Sequence, residues 1–147
     1  MCIRDRFINN MKDSNKPCLF CNITKNNLAA ENELAFASYD SYPVSDQHSL
    51  IIPKRHIKNY FDLTEEEIIA CDQLIKKIKK VIEDKDPNVK GFNIGTNSGK
   101  VAGQSIMHCH IHLIPRRKGD VEDPRGGVRG VIPVSYTHLT LPTTPYV

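Results

Sequence analysis

The chain has 147 residues, 39% of them hydrophobic and 25% charged, and a formal net charge of +3. This is the make-up of one globular domain with a single sizeable core. So small a positive charge gives no argument for nucleic acid as a partner, and none is expected; no apolar run approaches the ~18 residues of a membrane span. No signal peptide is visible. Five cysteines, two of them in Cys18-x-x-Cys21, read as metal or redox chemistry in a reducing compartment, so the expected location is cytoplasmic.

The two ends differ in style from the middle. "MCIRDR" (1–6) can be encoded by ATG TGT ATA AGA GAC AGR, and the reverse complement of that string, read in frame, encodes Val134-Ser135-Tyr136-Thr137-His138. Such an inverted repeat resembles the transposon end used in sequencing-library preparation. Residues 1–6 and 134–147 are therefore expected to be adapter-derived, with the domain spanning 7–133 and the natural C-terminus missing. Cys2 and His138 then drop out of the chemistry.

Residues 7–17 are polar and expected to fray. "CLFCNI" (18–23) reads as a tight turn, and "ELAFASYD" (33–40) and "HSLIIPK" (48–54) read as strands separated by the turn-like "SYPVSDQ". A helix follows. Thr64 and Glu67 form a capping box, and Ile68, Cys71, Ile75, Ile78 and Ile82 recur at three- and four-residue steps. Lys76, Lys77, Lys79 and Lys80 fall on the solvent side and suit the negative end of the helix dipole. Pro87 marks the exit. "GFNIGTN" (91–97) reads as a strand, "SGKVAGQ" (98–104) as a glycine-bearing turn, and "RRKGDVEDPRGGVRGVIP" as a loop or cover. The order β, β, α, β, β with short connections predicts one α+β domain, an antiparallel sheet with one long helix packed on it.

The run "SIMHCHIHLIP" (105–115) carries three of the chain's six histidines at alternate positions. On a strand, Met107, Cys109, Ile111 and Leu113 face a core, while His108, His110 and His112 line the other face about 7 Å apart. Pro115 ends the run. Burying three imidazoles is costly unless they are hydrogen-bonded or ligating. The preceding turn offers exposed backbone N–H groups with the Gln104 and Ser105 side chains beside them, an arrangement suited to phosphate. A neutral imidazole is also a competent nucleophile toward phosphorus near neutral pH. The Cys-x-x-Cys pair reads either as a redox motif, which wants a βαβ setting absent here, or as a zinc turn that needs two further ligands.

"HCHIHLIP", with "YDSYPVSDQHSLIIPKRH" upstream and "NSGKVAGQSIMHCHIHLIPRR" downstream, resembles the histidine-triad superfamily over nearly all of residues 17–133. "GDVEDPRGGVRGVIP" brings it nearest to bacterial diadenosine-polyphosphate hydrolase-like members. The resemblance implies that His110 attacks the α-phosphorus of a nucleotide to give a nucleotidyl-histidine that water cleaves. It implies that His112 contacts phosphate oxygens or the leaving group, with Gln104 and Ser105 helping. It places His48, Asn97, Asp40 and Gly103 in the substrate-binding set, Asp40 on the ribose hydroxyls and Asn97 on phosphate; simple turn chemistry is the other reading of Asp40 and Asn97. Zinc-bearing relatives imply a structural zinc on Cys18, Cys21, His56 and His108, and the family implies a homodimer with a nucleotide substrate. One departure is Asp46-Gln47 before His48, where the family usually has a glycine.

Two rival functions stand beside this one. In the first, a metallohydrolase, the triad itself holds a catalytic zinc. In the second, a nucleotide-binding scaffold, the fold is kept without turnover. The leaving group stays open between a dinucleoside polyphosphate, a nucleoside phosphoramidate and an adenylyl-sulfate-type substrate.

Overall fold

The computed structural model describes residues 18–22 and 28–133. The expectations for residues 1–6, 7–17 and 134–147 lie outside the described residues. Five strands and one long helix make up the regular structure: β1 (Leu28–Glu31), β2 (Ala35–Tyr39), β3 (Ser49–Pro53), α1 (Glu65–Lys85), β4 (Val89–Gly95) and β5 (Ile111–Arg117). The sheet order is β1-β2-β3-β5-β4, and every neighbouring pair is antiparallel. This is the expected α+β domain with an antiparallel sheet. Among the described residues, no helix is long and apolar enough to cross a membrane.

One element was not foreseen. β1 is the four-residue "LAAE", whose alanines and glutamate carry little strand preference of their own. Its partner β2 and the Asn32 turn make it a strand. The Asn32 carboxamide oxygen accepts from Leu34 N and Ala35 N, while its nitrogen donates to the Ala70 carbonyl of α1.

The helix begins as its sequence demands. Thr64 Oγ1 accepts from Glu67 N at 3.1 Å, and Glu67 Oε1 accepts from Thr64 N at 2.9 Å, closing the capping box. Arg55, two residues beyond β3, then grips the buried Glu67 carboxylate with Nε at 3.0 Å and Nη2 at 2.8 Å. Burying Glu67 rotates the expected stripe. Ala70, Cys71, Leu74, Ile78 and Ile82 face the sheet, whereas Ile68 is exposed and Ile75 only partly covered. The four lysines are exposed, as read; Lys76 pairs with Asp72 and Lys79 with Glu83.

The helix covers one face of the sheet, packing on Ala35, Ala37, Ile51, Ile111 and Leu113. The opposite face carries a smaller cluster of Phe36, Leu50, Ile52 and Ile106, which Phe20 of the Cys-x-x-Cys turn completes. In the ladders, His112 lies opposite Leu50 of β3 and Gly95 of β4, which puts the histidine on this second face.

Arg55 draws the Glu67 carboxyl down from its ordinary 4.5 to about 2. A lowered folded-state value means that the stabilisation is complete above pH 4.5 and is lost as pH falls toward 2. Glu67→Gln should cost about 1–2 kcal/mol at pH 7. It should also flatten the acid side of the stability profile, and urea unfolding at pH 7 and pH 3 measures both effects.

Candidate active site

The histidine run is not one regular strand. β5 begins only at Ile111, and residues 105–110 approach it outside the ladder, held by Cys109 N donating to Ile57 O and Thr96 Oγ1 donating to His110 O. The even row about 7 Å apart is therefore corrected: the His110 and His112 rings stand 5.2 Å apart at 67°, and His108 turns away toward the cysteines. All three are buried, as is His48.

Three of the four rings are oriented by a backbone partner that can only donate or only accept. His108 Nε2 faces the Pro53 carbonyl at 2.8 Å, so this nitrogen carries the proton and Nδ1 keeps its lone pair. His110 Nδ1 faces the His108 carbonyl at 2.8 Å, so Nδ1 is N–H and Nε2 holds the lone pair. His48 Nδ1 accepts from Val44 N at 3.1 Å, which puts the His48 proton on Nε2. That proton points at His112 Nδ1, 2.9 Å away, and Asp40 Oδ2 lies 3.5 Å from His48 Nε2. His112 is then an acceptor at Nδ1 and a donor at Nε2. His110, with its lone pair on Nε2, and His112, with its donor on Nε2, are thus neighbouring rings of complementary tautomer.

The other lone pair, on His108, faces a second group. Cys18 Sγ and Cys21 Sγ each lie 3.5 Å from His108 Nδ1, His56 Nδ1 lies 3.2 Å from it, and Cys21 Sγ lies 3.3 Å from His56 Nδ1. A zinc tetrahedron with Zn–N of about 2.0–2.1 Å and Zn–S of about 2.3 Å has N···N edges of ~3.3 Å and S···N edges of ~3.5 Å. The four side chains match those edges and could hold the ion with no open position. Burial keeps His108 neutral by pushing its pKa down, as a ligand requires. Burial and the neighbouring Cys18 push the Cys21 thiol up to about 11, a penalty that a divalent cation at the centre would reverse. Cys71 and Cys109 are buried thiols pushed up to about 12 and about 11, and they belong to the core.

The model of the HIT domain family matches residues 23–119. The chain belongs to the HIT family. It is 35% identical to a HIT family protein of Bacillus anthracis whose crystal structure superposes with a TM-score of 0.65, over 71% of this chain and 77% of that one. It is 31% identical to a Zn-bound histidine triad family protein of Mycobacterium smegmatis, with a TM-score of 0.64 over 70% and 77% of the two chains. An adenosine 5'-monophosphoramidase of Candida albicans is 31% identical over 71% of this chain and 73% of its own.

The remaining residues of this HIT chain fall around the imidazoles. Asp40 is buried; its Oδ1 accepts from Tyr42 N at 2.9 Å, an Asx turn, and its Oδ2 faces His48. Asn97 lies near His48 and His112 and packs under Gly103, whose φ of +93° suits glycine. The Gln104 amide is spent on backbone, accepting from Gly99 N and donating to Lys58 O and Ile106 O, so it braces the 98–105 turn. Ser105 is half-buried at the end of that turn. Sequence reasoning missed Phe20, whose ring meets His110 edge-on with centroids 5.0 Å apart. The only signal was an aromatic between two candidate metal ligands. The orienting groups of Val44, Pro53 and His108 are backbone atoms and leave no signal at all.

Gln47 precedes His48 in the β2–β3 connection. Its φ is +71°, a left-handed conformation disfavoured for a side chain with a Cβ, and its Oε1 is buried without a partner among the described residues. Gln47→Gly is therefore expected to raise stability by about 1 kcal/mol, the relieved strain exceeding the entropy glycine loses on folding. Chemical denaturation of the two proteins reads this difference.

Proposed function

We propose that this HIT protein hydrolyses the bond between the α-phosphorus of a nucleotide and its leaving group, through a nucleotidyl-histidine at His110. The reading is carried by one observation: the His108 carbonyl holds the proton of His110 on Nδ1 and leaves the lone pair on Nε2, in a ring 5.2 Å from that of His112. The likeness to an adenosine 5'-monophosphoramidase supports the same chemistry.

In the first step Nε2 of His110 bonds to phosphorus, and the bond on the far side breaks, its electron pair leaving with the departing group, which takes a proton from water. The His108 carbonyl accepts from the Nδ1–H of the now cationic ring. His112 Nε2–H donates to a phosphoryl oxygen or to the departing atom, with Ser105 and the backbone of the 98–105 turn adding donors. In the second step the oxygen of water bonds to phosphorus, the P–Nε2 pair returns to His110 and the displaced proton goes to solvent. His48 holds His112 in its tautomer. Asp40 binds ribose hydroxyls, Asn97 contacts phosphate, and Gly103 lets the turn pass close to it. Gln104 holds that turn. The rival in which the triad chelates a catalytic metal fits less well, because the three rings diverge and two of their nitrogens are committed to carbonyls.

Zinc on Cys18, Cys21, His56 and His108 is the second part of the proposal, supported by the four matching edges and by the Zn-bound relative. Four protein ligands close the tetrahedron, so the ion would be structural. It would anchor the turn that carries Phe20 against His110. The further expectations are a homodimer, no nucleic acid or membrane partner and a cytoplasmic location. Residues 7–133 are taken as the domain, with 1–6 and 134–147 adapter-derived.

His110→Ala should lose several orders of magnitude in turnover yet still bind nucleoside monophosphate. His112→Ala, which removes a donor only, should lose ~10²–10³. Acid-quenched turnover should trap a nucleotidyl mass on the peptide carrying His110; an adduct elsewhere would refute the mechanism.

Protein purified without added metal should contain about one zinc per chain by elemental analysis. Cys18→Ser should lower zinc content and melting temperature together, and wild-type protein that is metal-free and equally stable would sink the zinc assignment.

A further inference from the structure

The Cys18–Cys21 turn reaches His110 by two routes. The first runs through a single residue: His108 Nδ1 lies 3.5 Å from both sulfurs, and the carbonyl of the same residue holds the Nδ1 proton of His110 at 2.8 Å. The second is packing. Phe20, between the two cysteines in sequence, is buried, and its ring meets both imidazoles edge-on, with centroids 6.0 Å from His108 and 5.0 Å from His110. A change at the two sulfurs is therefore felt at His110 from two sides.

The same turn is open to a small oxidant. Cys21 is exposed and Cys18 half-buried, whereas Cys71 and Cys109 are buried in the core. The ligand atoms of Cys18, Cys21, His56 and His108 all lie within 4.8 Å of one another, so the two sulfurs are already neighbours. They sit on one short turn, which the Asn22 carboxamide closes by donating to Cys18 O at 3.0 Å. Rotation of two cysteine side chains on such a turn can bring the sulfurs to bonding distance.

Ligation would make these two sulfurs reactive as well as reachable. A cysteine that binds a cation is held as the thiolate, and the thiolate is the form that attacks a peroxide. Buried, unligated thiols are inert by comparison. Among the described cysteines, access and ligation coincide only at Cys18 and Cys21.

We propose that Cys18 and Cys21 form a peroxide-sensitive modification site, whose oxidation to a disulfide expels the zinc and frees the turn that braces His110. This rests on the zinc assignment above. One thiolate attacks an oxygen of hydrogen peroxide; the O–O bond breaks, a sulfenic acid forms, and the departing hydroxide takes a proton from solvent to become water. The second thiolate then attacks the sulfenic sulfur; the S–S bond forms, the S–O bond breaks, and a second hydroxide is protonated to water. Two electrons pass from the sulfurs to the peroxide. Disulfide sulfurs are not thiolate ligands, so the ion keeps only His56 and His108 and passes to solvent. A dithiol reverses the step.

The test treats the full-length, zinc-bearing protein with excess hydrogen peroxide. Zinc release is read with a chromophoric chelator, cysteine state by peptide mass, and turnover with the phosphoramidate of AMP. About one zinc per chain should be released, and the peptide carrying Cys18 and Cys21 should lose about 2 Da, the mass of two hydrogens. Turnover should fall by about tenfold or more, as small misplacements of a nucleophile do. Dithiothreitol with added zinc should restore all three readings, and Cys71 and Cys109 should stay reduced throughout. Zinc retained under excess peroxide overturns the switch and leaves the zinc assignment standing, whereas protein that carries no zinc as purified overturns both. Zinc release with unchanged turnover refutes the link to His110. Inactivation that dithiothreitol and zinc do not reverse, or oxidation at Cys71 or Cys109 in place of the turn, refutes the site. Reduced, zinc-bearing protein without turnover sinks the catalytic reading and the control over it together.

Discussion

A neutral imidazole has two nitrogens and one proton, and in this protein the backbone decides where that proton sits. The carbonyls of Pro53 and His108 each accept from a ring nitrogen at 2.8 Å, and the amide of Val44 donates to one at 3.1 Å. Three fixed dipoles therefore set the tautomers: His108 keeps a lone pair toward the cysteines, His110 keeps one on Nε2, and His48, through its own Nε2–H, leaves His112 a donor at Nε2. Burial makes this selection firm, because a ring turned the wrong way would leave a buried carbonyl or amide unpaired, at roughly 1–3 kcal/mol each.

Those backbone groups are useful only if they are held still, and the fold holds each from outside the site. Pro53 ends β3, and two residues later Arg55 ties the chain to the first turn of α1 through Glu67. Val44 lies in the β2–β3 connection, which is closed by His48 N donating to Ser45 O and by Ser45 Oγ donating to Pro115 O of β5. The His108 carbonyl leads into β5, and its ring is a corner of the cluster it forms with Cys18, Cys21 and His56. The capping box, the sheet register and the cysteine turn thus support one constellation of imidazoles, which rests on rigid elements and not on loops alone.

Much of this is legible in the chain. The Thr64–Glu67 box and the three- to four-residue apolar steps foretell α1, and alternation foretells β2, β3 and β4 to within a few residues. Two features are not legible. β1 has the composition of a turn or helix fragment and becomes a strand through pairing with β2. The helix stripe is rotated because Glu67, polar by type, is buried by a partner twelve residues earlier. A hydrophobicity pattern cannot see a charge that is neutralised through space.

The same division holds at the site. Residue type and spacing alone determine that three imidazoles and two thiols are available and that a glycine-bearing turn precedes them. Local chemistry is written in local sequence. Only the tertiary structure decides that His108 joins Cys18, Cys21 and His56, that His48 locks His112, and that Gln104 spends its amide on the turn. It alone brings the Gly127–Val131 cover over β4 to wall a recess beside His112. These contacts join residues far apart in the chain, and several run through backbone atoms, which every residue has and which therefore leave no mark in the order of side chains.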